Sequence, residues 1–178
     1  MKRFLFLFLV LFIAKTVGTV MAEIPCASHE CGTGKRETTP SDAFTLVGDE
    51  GDVVRHEDTG LEWRRCTLGQ KWDGVTCLGS PEHFTWEEAL RVERKSDSWR
   101  LPEINELRSI VEECRRNPGI NRMVFPNTPA ARFWSATRYH GSGDRAWTLY
   151  FYDGDGGWRY MQENRTIRLV RDADAERN

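Results

Sequence analysis

The sequence predicts a single α+β domain with two helices and a mostly antiparallel sheet. Two helical patterns lie in the first half: a capping box at Thr85 and Glu88, and a helix that starts near Pro102. The second half instead has short alternating segments separated by glycine-bearing turns, which is typical of an antiparallel meander. Helices in one half and a meander in the other define the α+β class.

The N-terminus has the layout of a secretory signal peptide. A basic start precedes an apolar run over residues 4–14, and Ala22 ends a small-residue cleavage site. Lys15 interrupts the run, which is short for a bilayer span, so no membrane span is expected after cleavage. Lipidation at Cys26 is the rival interpretation, but the residues before it are not small. Residues 1–22 are therefore predicted to be a signal peptide, and the mature chain to be secreted or periplasmic.

The charge of the mature chain argues against a nucleic-acid partner. Three of the 25 basic residues, Lys2, Arg3 and Lys15, lie in the signal, which leaves 22 against 27 acidic residues and a formal charge of −5. No region has the basic excess that phosphate backbones attract. The remaining 156 or so residues suffice for one hydrophobic core.

Five cysteines in an exported chain predict disulfides and at least one cysteine without a partner in the same chain. A bridge between Cys66 and Cys77 would close a loop of low apolar content and stabilise the fold by about 2–3 kcal/mol. Cys26 and Cys31 are close enough for a small local ring. Cys114 falls on an apolar helix face, where a buried cysteine that packs as a small hydrophobic side chain is expected, and its pairing stays open. No C-x-x-C pair is present, so no metal or other cofactor is predicted.

The first half of the domain follows a polar leader. Residues 23–43 are predicted to be flexible, the domain to span residues 44–172, and residues 173–178 to be a polar tail. The first predicted elements are strands at 44–47, 53–56 and 61–64, and a helix from 85 to about 95.

A strand-to-helix corner at residues 97–107 organises the chain. Trp99 and Leu101 alternate with polar neighbours, and Pro102 suits the first turn of a helix. Apolar residues at helical spacing then predict a helix from about 103 to 115.

The second half predicts strands at 133–137, 146–151 and 158–161, and a closing strand at 167–170. Asp153 and Asp155 stand in the glycine-rich stretch between two of these strands. A calcium loop would need a further acidic ligand near Met161, so a tight hairpin turn is the better interpretation.

No catalytic residues are predicted, because no nucleophile, base and orienting group stand in a recognisable pattern. The seven tryptophans instead favour binding. Five of them alternate as core residues do, whereas Trp72 and Trp158 lie in or beside loops. The candidate ligand-binding set is expected to form one local basic and aromatic face suited to sulfated or carboxylated glycans: Trp158, Arg159, Arg138, Tyr139 and Arg145.

The order of motifs resembles the Lcl C-terminal domain family, which is bacterial and largely of unknown function. The resemblance runs over about residues 44–172. Its motifs are DTGLEW from Asp58, RCTLGQKWDG from Arg65, FTWEEAL from Phe84, WRLP from Trp99, FPNTP from Phe125, FWSAT from Phe133 and IRLVR from Ile167. The RLP corner also resembles formylglycine-generating-enzyme-like domains, which implies a C-type-lectin-like fold.

This resemblance implies an exported bacterial module rather than an enzyme. The family's named member is associated with adhesion to glycosaminoglycans. Many relatives carry a cysteine where this chain has Leu169, which implies that Cys114 lacks that partner. A non-enzymatic module that binds a glycan or another envelope polymer is therefore expected. The alternative is a structural or protein-interaction component of the cell envelope.

Overall fold

The computed structural model describes residues 37–93, 98–141 and 143–173. The predicted signal peptide at 1–22, residues 23–36 of the predicted leader, and residues 174–178 of the predicted tail lie outside the described residues. The same is true of the predicted ring between Cys26 and Cys31. Within the described ranges, no helix has the length and apolar character that a membrane crossing requires.

The described residues form nine strands and two α-helices, so the α+β prediction is confirmed, with β-structure in the majority. Every strand pair in the sheets is antiparallel, as predicted. In chain order the elements are β1 (Phe44–Val47), β2 (Val53–His56), β3 (Leu61–Arg64), β4 (Lys71–Trp72), β5 (Cys77–Leu78), α1 (Trp86–Glu93), α2 (Ile104–Ser109), β6 (Arg132–Arg138), β7 (Arg145–Tyr150), β8 (Asp155–Tyr160) and β9 (Val170–Asp172).

The first sheet joins the start of the domain to its last strand, in the order β1–β2–β3–β9. The predicted strands at 44–47, 53–56 and 61–64 are confirmed residue for residue. The closing strand begins at Val170, three residues later than predicted. Residues 167–169 leave the regular ladder because the Arg168 side chain is buried and donates to the backbone of β3 and the residue after it.

The second sheet is the predicted meander, in the order β6–β7–β8. The turn between β7 and β8 is a hairpin in which the Asp153 carboxylate accepts the N–H of Asp155 at 3.1 Å and Gly154 has a φ of 83°. The turn requires a left-handed backbone conformation at this position, and glycine adopts that conformation without strain. The hairpin prediction is therefore confirmed, and β8 starts three residues before the predicted strand.

Helix α1 begins at the predicted capping box. The Thr85 N–H donates to the Glu88 carboxylate at 2.9 Å, and the Glu88 N–H donates to the Thr85 hydroxyl at 3.4 Å. Trp86 and Ala89 are buried on the inner face of this helix. The sequence therefore fixes both where α1 starts and which face packs inward.

Helix α2 is shorter than the sequence predicts. The expected helix from about 103 to 115 ends at Ser109, and it starts one residue later, after Glu103 as N-cap. The apolar residues Ile110 and Val111 are still buried, but in an irregular segment. This segment leaves the helix because Glu112 turns away to bind the backbone of the N-terminal residues.

The corner before α2 joins the last strand of the first sheet to helix α2. Arg100 pairs with Val170 through backbone hydrogen bonds of 2.8 and 3.0 Å, so the extended piece adds to the first sheet. Its guanidinium also donates twice to the Glu106 carboxylate, each time at 2.7 Å. Trp99 and Leu101 are buried on either side of Arg100, as the alternation predicts.

The second sheet separates two hydrophobic clusters. Phe133 and Leu149, which are register partners, lie in the cluster shared with α2 and the first sheet. Trp134 and Ala146 lie in the other cluster, which includes Trp86 of α1. Because successive strand residues point to opposite sides, the two faces of this sheet have different neighbours. The face bearing Leu149 is called the first face below, and the face bearing Ala146 the second face.

The folded region begins before the predicted domain start at residue 44. Thr38 and Thr39 bind Glu112 through their N–H groups and hydroxyls, and Ser41 is buried in a short 3-10 helix, Ser41–Ala43. The Asn121 side chain also donates to the Thr39 carbonyl at 3.0 Å. Residues 37–43 thus differ from the predicted flexible leader, because a buried carboxylate and amide on distant segments satisfy their polar groups.

The predicted bridge between Cys66 and Cys77 is present, with a Cα–Cα distance of 5.4 Å. It closes the β4–β5 hairpin. Cys114 is also disulfide-bonded, and no other described cysteine is its partner. The expectation of a buried cysteine that packs on the apolar face of the helix is therefore wrong. The shortening of α2 explains the error, since Cys114 lies half-buried in the irregular segment rather than on a helix face.

We expect Cys66, Cys77 and Cys114 to resist alkylation in the mature, oxidised chain, because all three are disulfide-bonded. Alkylation without reduction, followed by peptide mapping, measures this directly. A labelled Cys114 peptide would contradict the assignment, and a chain alkylated after reduction is the control for reactivity at all five positions.

Candidate functional site

The first face of the β6–β8 sheet carries exposed aromatic side chains at one end. Trp158 and Tyr160 have 36% and 38% of their surface exposed, and their ring centroids are 6.1 Å apart. The Tyr139 ring lies 5.7 Å from Trp158 and 5.8 Å from Trp147 below it. We call Tyr139, Trp158 and Tyr160 the aromatic platform.

Arg145 holds this platform together. Its guanidinium carbon is 3.9 Å from the Trp158 ring centroid and 4.8 Å from that of Tyr160, and it donates to the Tyr160 hydroxyl at 3.0 Å. Cation–π contacts of this kind fix the relative positions of the rings. Arg145 therefore positions the aromatic side chains, and its guanidinium group is already engaged with them.

The loop before β7 is shaped to admit the Tyr139 ring. A Cβ at Gly141 would lie 2.5 Å from the ring of Tyr139, which is closer than real Cβ contacts occur. The Tyr139 N–H also donates to the Arg145 carbonyl at 3.0 Å, which anchors the start of the loop to β7. Gly141 is thus required for the platform, because any side chain there would push the tyrosine away.

The structure divides the predicted ligand-binding set between the two faces. Tyr139, Arg145 and Trp158 meet on the first face, as predicted. Arg159 follows Trp158 in β8 and pairs in register with Ala146, so it lies on the second face. Arg138 is the β6 partner of Ala146, and its guanidinium carbon is 4.8 Å from the ring centroid of the buried Trp86. The single face expected from sequence is therefore wrong for these two arginines.

Arg159 instead belongs to a cleft on the second face, which we call the arginine cleft. Its volume is about 430 Å³. Arg132 approaches Arg159 across Gly157, and its guanidinium carbon lies 4.7 Å from the Tyr150 ring centroid. The cleft is lined by His83, Ala131, Arg132, Tyr150, Arg159 and Arg165.

Sequence reasoning missed Tyr160 and Arg132. The alternation of Trp158 and Tyr160 in β8 was a usable signal for the first, because residues two apart share a strand face. No local pattern links Arg132 to Arg159, which are brought together only by the meander.

A second cleft, of about 330 Å³, lies where the first sheet meets the disulfide hairpin and has Trp72 and Trp99 in its wall. Trp72 is half-buried rather than free: its indole N–H donates to the Glu50 carbonyl at 2.9 Å, and the Arg65 guanidinium carbon is 4.1 Å from its ring centroid. Trp99 is also held within the domain, because the guanidinium carbons of Arg64 and Arg171 lie 4.3 and 4.6 Å from its ring centroid.

Two side chains of types used in catalysis have internal partners. Ser135 is buried, and its hydroxyl donates to the Trp147 carbonyl at 2.8 Å. His56 is buried against Phe44, and its Nδ1 lies 3.0 Å from the Thr59 hydroxyl. Burial lowers the pKa of His56, with a partial offset from Asp58 and Glu57. In the part of the chain that the structure describes, no three His, Cys, Asp or Glu side chains form a group able to hold a metal ion.

The fold and the site together define a small disulfide-containing α+β domain with an exposed aromatic platform. The sequence model of the Lcl C-terminal domain matches residues 52–171. The chain belongs to the Lcl C-terminal domain family, as the order of its motifs indicates. No curated protein matches the chain.

Proposed function

We propose that this chain is an exported, non-enzymatic binding module whose ligand is a glycan or another envelope polymer. The observation that carries the proposal is the aromatic platform, which leaves more than a third of Trp158 and of Tyr160 exposed on strand β8. Membership of the family and the signal-like N-terminus support export from a bacterial cell. The internal bonding of Ser135 and His56 supports binding rather than catalysis.

The proposal includes a C-type-lectin-like arrangement of the fold. Two features support it: a sheet in which β1 and β9 bring the two ends of the domain together, and two short helices that pack beside the β-structure. A domain closed in this way leaves one end of the second sheet free to present a binding surface. The aromatic platform lies at that end, between the loop after β6 and the last residues of β8.

The platform is suited to sugar rings. Indole and phenol faces pack against the apolar faces of pyranose rings, while phenol hydroxyls remain available for hydrogen bonds. Arg145 orders Trp158 and Tyr160 before any ligand arrives, so little side-chain entropy is lost on binding. Binding dominated by stacking is expected to change little with salt, since Arg145 is already engaged with the rings.

Replacing Trp158 by alanine is expected to weaken glycan binding roughly tenfold while leaving the fold intact. The ring is partly exposed, so its loss removes stacking area at the surface and opens no core cavity. A glycan array with the mature, oxidised protein identifies the ligand, and titration of the best ligand measures the change.

Tyr152→Ala is the matched control, because Tyr152 is 40% exposed and stacks on Tyr150 away from the platform. It is expected to bind like the unmodified chain. Equal affinity of the Trp158→Ala variant and this control would remove the platform as the binding surface.

A protein-interaction role in the envelope is the second candidate function. The disulfide hairpin exposes Val75 at 79% in its turn and Leu78 at 52% in β5, and exposed apolar side chains favour contact with another protein. Cross-linking in intact cells that depends on Val75 and Leu78, in a chain without glycan affinity, would favour this role over the first.

A further inference from the structure

We infer that the arginine cleft is an oxyanion-binding site, separate from the aromatic platform, which accepts a sulfate or phosphate group. The site lies on the opposite face of the β6–β8 sheet, and its central groups are the guanidinium groups of Arg132 and Arg159. The proposal does not depend on glycan binding at the platform.

The first argument is the convergence of the two guanidinium groups. Arg132 Nη1 and Arg159 Nη1 each lie 3.6 Å from the position that a Cβ of residue 157 would occupy. The two nitrogens are therefore no more than about twice that distance apart. Two like charges this close repel one another, and an anion between or beside them would offset that repulsion.

The second argument is the lack of an internal counter-ion. Among the ion pairs of the described residues, Arg165 pairs with Glu163, whereas neither Arg132 nor Arg159 has a carboxylate within 4.0 Å. Asp153 and Asp155 act on Arg132 from a greater distance. Burial and the neighbouring Arg159 lower the pKa of Arg132, which is the direction expected when a cation lacks a close anion.

The third argument is the set of donors that remain available. Arg159 uses one nitrogen to reach the Trp158 carbonyl at 2.6 Å, and Arg132 Nη1 is buried without a hydrogen-bond partner among the described residues. The Tyr150 ring lies against Arg132 and fixes its plane. His83 and Arg165 complete the wall of the cleft. Guanidinium groups held in fixed planes suit the oxygens of sulfate and phosphate, which accept several charge-assisted hydrogen bonds at once.

Gly157 offers a direct test because it lies between the two arginines. A Cβ there would be in ordinary van der Waals contact with both side chains, so a small side chain fits. Gly157→Asp places a tethered carboxylate in the site, and Gly157→Asn is the matched uncharged control. We expect Gly157→Asp to abolish anion binding and to melt at a higher temperature than Gly157→Asn.

The experiment is isothermal titration calorimetry, in which the mature, oxidised protein is titrated with inorganic sulfate and with inorganic phosphate at constant ionic strength. We expect saturable binding that Gly157→Asn retains, that Arg132→Gln and Arg159→Gln each weaken at least tenfold, and that Arg145→Gln on the first face leaves unchanged. Absence of saturable binding, or equal binding by the two Gly157 variants, would overturn the inference. The Gly157 pair keeps the test valid even where an arginine variant does not fold.

Two further arms identify the source of the anion. A sulfated disaccharide and its unsulfated form are titrated beside inorganic sulfate. Tighter binding of the sulfated sugar, lost in Gly157→Asp, supports a sulfate group carried on a glycan. Equal affinity for the sugar sulfate and the inorganic ion supports a free anion. Trp158→Ala separates this site from the platform, since it is expected to leave inorganic sulfate binding unchanged.

Discussion

Replacing Arg168 by methionine is expected to lower the free energy of unfolding by about 3 kcal/mol. Arg168 is fully buried and is the donor to four acceptors: the carbonyls of Arg64 and Arg65, and the hydroxyls of Thr128 and Thr67. The methionine variant leaves these buried acceptors without that donor. Chemical denaturation followed by tryptophan fluorescence, under oxidising conditions, measures the loss.

Two effects oppose each other at this position. Burial lowers the pKa of Arg168 to about 9, with a further contribution from Arg65, which shows that the site disfavours the charge. Replacing Arg168 by an uncharged residue therefore removes the desolvation penalty, which by itself would raise the free energy of unfolding. The unsatisfied acceptors cost more, because one buried guanidinium is the donor to all of them and joins residues 64–67 to Thr128.

The exposed Arg116 provides the matched control for the same chemical change. Arg116→Met is expected to alter stability by less than about 0.5 kcal/mol. An Arg168→Met variant as stable as this control would show that the hydrogen bonds of the guanidinium do not stabilise the fold. An Arg168→Lys variant distinguishes the effect of the charge on stability from that of the hydrogen-bond geometry, because lysine keeps the charge but lacks the planar guanidinium.

Replacing Glu112 by glutamine is expected to destabilise the chain by about 2–3 kcal/mol and to release its N-terminal segment. The buried carboxylate accepts from the N–H groups of Thr38, Thr39 and Cys114, and from both threonine hydroxyls, at 2.7–3.2 Å. The side-chain amide of glutamine has an NH₂ group in place of one carboxylate oxygen. That NH₂ group is itself a donor, so it cannot accept from the N–H and hydroxyl groups that bind the carboxylate. Glu113→Gln, at the exposed neighbouring position, is the control.

The same carboxylate predicts an acid sensitivity. Burial raises the pKa of Glu112, but hydrogen bonds from the backbone of Thr38, Thr39 and Cys114 outweigh burial, and the pKa lies below its ordinary value of 4.5. The stabilisation is therefore fully present above pH 4.5 and is lost as the pH falls through the lower folded-state pKa. Limited proteolysis near residues 37–43, compared at pH 7 and below pH 4, tests this. Equal cleavage of Glu112→Gln and Glu113→Gln at pH 7 would contradict the anchoring role.

Local signals in the sequence account for much of the fold. Strands β1 to β3 were predictable residue for residue, because short alternating runs are bounded by turns such as the one at Gly60. The start of α1 followed from Thr85 and Glu88. The errors fall where a side chain binds a distant segment: Glu112 shortens α2, and Arg168 delays β9. Periodicity carries no information about such long-range partners.

Some residues of the candidate site were also predictable from local sequence, and others were not. Trp158, Arg145 and Tyr139 were predictable as a group because strand neighbours and an adjoining loop bring them together. Arg159 and Arg138 lie on the opposite face, because strand alternation and the register with Ala146 separate them from residues of similar type.

The sequence by itself determined the class of the fold, the family, the Cys66–Cys77 bridge and the residue types available for binding. Only the tertiary structure decided that Cys114 is bonded, that residues 37–43 are packed, and that Arg132 meets Arg159. The physical reason is the range of the interactions. Turns, caps and strand alternation act over a few residues and are visible along the chain. Buried hydrogen bonds and converging charges join segments that lie far apart in sequence, and their partners exist only once the sheets have formed.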